Sequence, residues 1–469
     1  MTLKKLWKII WVSFVVLFSL VVIILVATIR VVDKTPYFKT EYYNETFDSF
    51  NEILANNTEG TGQLEAGFGV VNITPNIISG EENPLEGKFK KVPLAGFGDR
   101  KTPATGVHDS IFVKAAALKV GNKTVLTISA DLLLIPPQVA DSVAFLLKKN
   151  AGISREQLFF GATHTHSSIG GMTPGIIGEM FSGEFQPGII TFLYHKFTDA
   201  AIHALTDLKP ATFNSFEINA PELVRNRMNG EKGRLNDKFS GLQIQQINGR
   251  KAVIGAFAAH STTLGDSNME FSGDFPGYWQ RKIEEEFADV AIYFAGTLGS
   301  HSHKGIGDGF DKPKYMGEEL AKKLIESNEM QVNDSASLSF FSFPLKTSRM
   351  QFRVTKNLFL APFVSDKMLP QADSCYIQGM RLGDLIWVTA PLELSGEIAL
   401  DVKNALKHAG YNSMFTSFNG AYLGYVTPSK YYYDKTYESY LMGWFGPSMG
   451  DYVSDLLFKT SNNLAGKRL

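Results

Sequence analysis

Apolar residues recur along this chain with two different periods, and the two periods alternate. Short continuous apolar runs at residues 123–134, 158–163, 251–259, 291–295, 385–390 and 414–418 read as buried strands. Between them lie stretches with helical spacing. Residues 137–150 place Val139, Val143, Leu146 and Leu147 on one face, and residues 189–208 include Phe192, Phe197, Ala200, Ala201 and Leu205 among their apolar positions. Further helices are expected at 276–287, opening with Pro276 in its first turn, at 315–327, and at 397–408, closed by Ala409 and Gly410. Alternating strand and helix predicts an α/β fold with mixed sheets flanked by helices. No Pro/Gly/Ser-rich linker or internal repeat interrupts the pattern. One large domain over 66–469 is therefore expected, beginning at Ala66-Gly-Phe-Gly-Val-Val. Residues 32–65 are polar and read as a stalk or lead-in.

The N-terminus has a third pattern. Lys4, Lys5 and Lys8 precede an uncharged, mostly apolar run from residue 9 to 29. A transmembrane helix needs about 20 such residues. A cleaved signal peptide has a shorter apolar region of about 7–15 residues and a small-residue cleavage site, which Val26-Ala-Thr-Ile-Arg30 matches poorly. Residues 1–31 are expected to be a single-pass anchor. The basic flank places the N-terminus in the cytoplasm and the rest of the chain outside it, in the periplasm or extracellular space.

Charge and cysteine content narrow the chemistry. Lys plus Arg number 46 and Asp plus Glu 47 in 469 residues, which argues against nucleic-acid binding. The single Cys375 excludes an intrachain disulfide and a cysteine-cluster metal site. Any metal must use imidazole, carboxylate or phenolate. Of nine histidines, five come after predicted strands: His164 and His166, His260, and His301 and His303. Glu393 comes after the 385–390 strand, and Tyr422 and Tyr425 after 414–418. In open α/β sheets ligands bind outside the carboxyl ends of the strands, so these ends point to one shared site. His164 and His166, two apart in extended chain, would face the same side. Each residue also has a plainer reading. The His164/His166 pair would be polar loop residues, His260 a hydrogen-bonded strand end, and Glu393 a carboxylate at a helix N-terminus. Zinc accepts His nitrogen and carboxylate oxygen, and a catalytic site keeps one position open.

Several ordered motifs together resemble the neutral (non-lysosomal) ceramidase family. They are Gly161-Ala-Thr-His-Thr-His-Ser-Ser-Ile-Gly-Gly171, Asn226-Arg227, His260-Ser-Thr-Thr, Ser272-Gly-Asp-Phe-Pro-Gly-Tyr278, Gly299-Ser-His-Ser302, Pro391-Leu-Glu393, Tyr425-Val-Thr and Tyr437-Glu438. The resemblance spans about residues 67–446. It implies a zinc amidase that splits ceramide, or a related sphingolipid, into sphingoid base and fatty acid. By motif position, it implies His164, His260, Glu393 and Tyr425 as ligands of one zinc ion per chain. It places His166, Arg227, Ser302 and Tyr437 in the site, with Tyr437 donating to the developing oxyanion. It also implies a lipid amide substrate, which an anchored enzyme would meet in the membrane.

Two departures stand out. The family's Gly-Asp-Val-Ser-Pro-Asn reads Gly299-Ser-His-Ser-His-Lys304 here. The added His301 and His303 are loop residues, ligands of a second metal, or a base for Ser302. Family members also carry a C-terminal β-sandwich domain, which this chain is expected to lack. Competing functions are a metal-dependent amidase for another N-acyl lipid and a non-catalytic lipid-binding protein on the same fold. Nothing in the sequence fixes an oligomeric state.

Overall fold

The strand Gly60–Asn72 organises the sheet. The computed structural model describes all residues except 1, 328–332, 334, 373 and 468. Residues 64–72 of the long strand pair antiparallel with Phe112–Val120, and residues 64–66 pair on the other side with Lys209–Asn219. Residues 60–63 pair with Ser335–Pro344. One strand thus belongs to two wings of a twelve-stranded mixed sheet. The first wing runs from Val290–Ala295 through Lys251–Phe257, Lys238–Gln246, Lys209–Asn219, Gly60–Asn72, Phe112–Val120 and Lys123–Ala130 to Leu158–Ala162. The second contains Ser335–Pro344, Tyr376–Leu382, Leu385–Thr389 and Asn412–Thr416.

The wings pack face to face. Phe68, Phe159, Ile254 and Phe294 of the first meet Met380, Trp387 and Met414 of the second in one buried cluster. Trp387 lies 4.8 Å from Phe294 and 6.1 Å from Phe159, measured between ring centres. The approach is close enough to require Gly161: a Cβ there would sit 2.2 Å from Phe294 Cδ1. Helices cover the outer faces. Pro137–Ala151 buries Val139, Ala140, Val143 and Leu147 and ends on Gly152 at φ 73°. It shares a core with Pro187–Thr206. Asp274–Glu286 and Asp311–Glu326 cover the end of the first wing, and Leu400–His408 and Met449–Leu464 cover the second.

Most predicted elements lie within a few residues of their expected ends. Residues 131–134 leave the strand, because Asp131 turns to accept a hydrogen bond from Phe112 N. The helix expected from 397 begins at Leu400. The strands Lys209–Asn219, Lys238–Gln246, Ser335–Pro344 and Tyr376–Leu382 were not among the predicted elements. The segment expected as a stalk is also different. Glu41–Ala55 is a helix whose Phe50 is 5% exposed and packs on Phe341 and Phe343, 6.0 and 5.0 Å away. Its aromatic stripe outweighs its polar average. The N-terminal helix, Leu3–Thr28, buries none of its residues and has the length and composition to cross a membrane.

Candidate metal centre and cleft

Three parallel strand pairs set the position of the site. Lys123–Ala130 runs parallel to Leu158–Ala162, Lys251–Phe257 to Val290–Ala295, and Leu385–Thr389 to Asn412–Thr416. The segments that leave their carboxyl ends carry His164, His260 and Glu393 to one point. His164 Nε2 lies 3.0 Å from His260 Nε2 and 3.3 Å from His166 Nε2. Glu393 Oε1 is 3.6 Å from His164 Nε2 and 3.5 Å from His260 Nε2. Five strand ends were expected to share this point. The segment bearing His301 and His303 reaches the neighbourhood, but its rings do not.

His164 and His166 do not converge by extended-chain alternation. His164 sits in the left-handed region at φ 60°, which costs a non-glycine residue about 1–3 kcal/mol. The turn folds both imidazoles onto one side, and the rings meet edge to face, 4.9 Å apart. Phe418, also left-handed at φ 64°, stacks on the His164 ring at 4.4 Å. His166 rests on Gly96, where a Cβ would lie 2.5 Å from its Nδ1.

The donor set fits a divalent cation. His164 Nδ1 donates to the Leu133 carbonyl at 2.7 Å, so its Nε2 presents a lone pair to the cluster. Burial lowers the His164 pKa to about 3 and holds His166 and His260 well below the usual imidazole value, with Arg227 adding to the effect in all three. Burial pushes Glu393 up to about 8, against the opposing pull of Tyr425, Arg227 and Tyr422. Among the described residues, Glu393 Oε1 is buried without a hydrogen-bond partner. Neutral imidazoles and a buried carboxylate oxygen converge on one space, a donor set that could hold a cation. His164, His166 and His260 form a group able to hold a metal ion. His166, expected beside the metal rather than on it, therefore points into the same space.

The remaining residues form the wall. Arg227 donates through Nε to Glu438 at 2.9 Å, and through Nη2 to the Gly299 carbonyl at 3.1 Å and the Tyr425 hydroxyl at 3.2 Å. Tyr425 stacks parallel to His260, with ring centres 6.5 Å apart. Tyr437 meets Tyr425 edge to face at 5.7 Å, and burial raises its hydroxyl to about 12. Ser302 lies beside His260 through a β-bridge. His301 has Ser300 Oγ on one ring nitrogen and accepts from Asn236 N on the other. His303 bonds the Thr262 carbonyl and Gly305 N. Each ring nitrogen thus has a partner other than Ser302, and among the described residues neither ring belongs to the donor group around His164.

Two contributors went unassigned in the sequence. Tyr422 donates to Glu393 Oε2 at 2.9 Å, and Glu438 fixes Arg227. Tyr422 was visible as a strand-end tyrosine, and Glu438 adjoins Tyr437. The cleft above the donors is lined by Leu133, Leu134, Ile177, Phe181, Leu369 and Trp444 among others. Apart from the donors, most of its lining residues are apolar, with Thr173 and Ser182 among the polar ones.

Residues 82–309 match the family model "Neutral/alkaline non-lysosomal ceramidase, N-terminal". The neutral ceramidase of Mycobacterium tuberculosis is 23% identical over 242 residues, covering 47% of this chain and 36% of that protein. Neutral ceramidase B of Dictyostelium discoideum is 23% identical over 248 residues, 48% of this chain and 33% of that protein. The matches thus span about a third of these relatives' length. The crystal structure of neutral ceramidase from Pseudomonas aeruginosa superposes with a TM-score of 0.70 at 18% identity, covering 87% of this chain and 75% of that one. A ceramidase complexed with C2 gives a TM-score of 0.70 at 19% identity over 87% and 76%. Residues 82–309 thus match the family model of the neutral/alkaline non-lysosomal ceramidases, and the chain shares the fold of the Pseudomonas aeruginosa neutral ceramidase.

Proposed function

We propose that this protein is a zinc-dependent amidase that hydrolyses the N-acyl bond of ceramide or a related sphingolipid, releasing a sphingoid base and a fatty acid. The observation that carries the reading is the convergence of His164, His260 and Glu393, with His166, at the base of an apolar cleft. His164, His260, Glu393 and Tyr425 would hold one zinc ion. Zinc supplies Lewis acidity and makes water nucleophilic near neutral pH.

The chain's own residues do the rest. Leu133, Ile177, Phe181 and Leu369 bind alkyl chain and exclude water from the amide. Tyr437 and Arg227 donate to the amide oxygen as negative charge develops on it. Glu438 neutralises Arg227 and fixes its direction. His166, held neutral by burial, takes the proton of the attacking water at a ring nitrogen and returns it to the leaving amine. Ser302, beside His260, orients the headgroup or the amide. The balance is one water consumed, its oxygen on the acyl carbon and a proton on the amine.

In this reading residues 66–469, with the helix Glu41–Ala55 and the start of the strand Gly60–Asn72 packed on them, are the catalytic unit, and residues 1–31 anchor it in the membrane with that unit extracytoplasmic. The test is metal analysis of the purified protein, with mass-spectrometric detection of fatty acid released from ceramide. His164→Ala should lose both bound zinc and turnover. Full turnover by the zinc-free variant would overturn the reading.

A further inference from the structure

The N-terminal helix does not end in a free tether. Thr28 O accepts a hydrogen bond from Ala361 N at 2.7 Å, and Val32 N donates to Asn357 O at 2.9 Å. Between them Ile29, Arg30 and Val31 pair antiparallel with Leu360, Phe359 and Leu358. The helix has 26 residues, about 39 Å at 1.5 Å each, so it is long enough for a hydrocarbon core of about 30 Å. Its last residue is therefore at or near the membrane surface, and residues 353–361 are clamped there with it.

The clamp leads directly into the wall of the cleft. The helix Pro362–Met368 begins at the residue after Ala361 and packs against the helix Ile176–Ser182. Leu369, Ile177 and Phe181 face into the cleft, whereas Phe363 and Ile176 each leave more than half of their surface in water. Leu441 does the same beside Tyr440, whose hydroxyl bonds the Val354 carbonyl of the clamped strand. Beside the clamped strands lie rings and cations. Arg353 lies over Tyr432 and Tyr440 at 4.1 and 4.8 Å, and Lys356 lies over Tyr433 at 5.0 Å. Amphipathic rings with Lys and Arg are typical of membrane–water interfaces.

We propose that the rim formed by Ile176, Phe363 and Leu441 sits in the same lipid leaflet that holds the N-terminal helix, with the mouth of the cleft opening onto the bilayer. A lipid then enters the cleft without crossing water. The occupant is a lipid bilayer because the helix bearing Phe363 follows directly on the strands that hold the membrane helix, and interfacial rings and cations flank those strands. This inference rests on the anchored lipid-amidase reading above.

The test uses the full chain in phosphatidylcholine vesicles. Ile176→Cys, Phe363→Cys and Leu441→Cys are each labelled with an environment-sensitive dye. Cys375 is buried, and labelled wild type measures its background. Leu17→Cys reports the anchor. Ile247→Cys reports the hairpin at the start of the strand Lys251–Phe257, the end opposite the site. Blue-shifted emission and loss of iodide quenching are expected at 176, 363, 441 and 17, with 247 remaining water-like. Water-like signals at 176, 363 and 441, with 17 in lipid, would overturn the proposal and leave the anchor standing. A water-like signal at 17 would overturn both. A lipid signal at 247 would show non-specific adsorption and also overturn it. None of these outcomes depends on turnover, so they are separable from failure of the amidase reading.

Discussion

Tyr422→Phe isolates one bond behind the proposed metal centre. The Tyr422 hydroxyl donates to Glu393 Oε2 at 2.9 Å, while Oε1 faces His164 and His260. Glu393 is buried and Tyr422 partly so, and the phenylalanine ring keeps the contacts with Phe418 and Trp444, 6.0 and 5.6 Å away. The change thus removes an oxygen and leaves the packing in place. A hydrogen bond to a charged group contributes about 1.5–3 kcal/mol. Loss of a group that orients a metal ligand typically weakens metal affinity about 10–100-fold, or roughly 1.4–2.7 kcal/mol. The two figures agree because they describe one event: Glu393 must be held ionised and pointed. The assay is competition for zinc against a chelator of known affinity, with kcat measured at saturating zinc. Affinity should fall within that range, and kcat should change far less. Tyr431→Phe is the control, since its hydroxyl donates to another buried carboxylate, Glu397, at 3.2 Å. Unchanged zinc affinity in Tyr422→Phe, or an equal fall in the control, would refute the reasoning.

Phe50→Ala should cost about 3–5 kcal/mol in denaturant unfolding, because Phe50 packs on Phe341 and Phe343; no loss would return residues 41–55 to the status of a stalk. Lys403 is buried, donates to Asn236 Oδ1 at 3.3 Å, and burial lowers its pKa to about 8. The unfolded chain then binds the proton more tightly, so the stability of wild type relative to Lys403→Met should rise with pH between about 8 and 10; a flat difference in thermal melts across that window would contradict this. Dialysis against a chelator should abolish turnover and lower the melting temperature, and added zinc should restore both. A melting temperature indifferent to zinc would argue against a bound ion.

The site was more legible than the scaffold. Buried parallel strands are continuous apolar runs, so Leu158–Ala162 and Leu385–Thr389 could be read directly, and the polar residues after them marked the site. The antiparallel strand Lys209–Asn219 carries Asn214, Ser215 and Glu217 among its apolar residues and lacks such a run. The helix Glu41–Ala55 was hidden by its polar average, although Tyr43, Phe47, Phe50 and Leu54 fall on one stripe. Convergence of His166 on the donor group depends on a left-handed φ at His164, which residue type does not announce. The Arg227–Glu438 pair joins positions 211 residues apart, and no local pattern encodes such a partner.

Sharing one strand between two wings has a cost during synthesis. Residues 60–63 of the long strand pair with Ser335–Leu338, about 270 residues further along the chain. A ribosome adding roughly 5–20 residues per second would leave that edge without its partner for on the order of 14–55 s. An unpaired strand edge is a template for the wrong neighbour. The first wing therefore emerges with an adhesive margin that stays open until the second wing has been made.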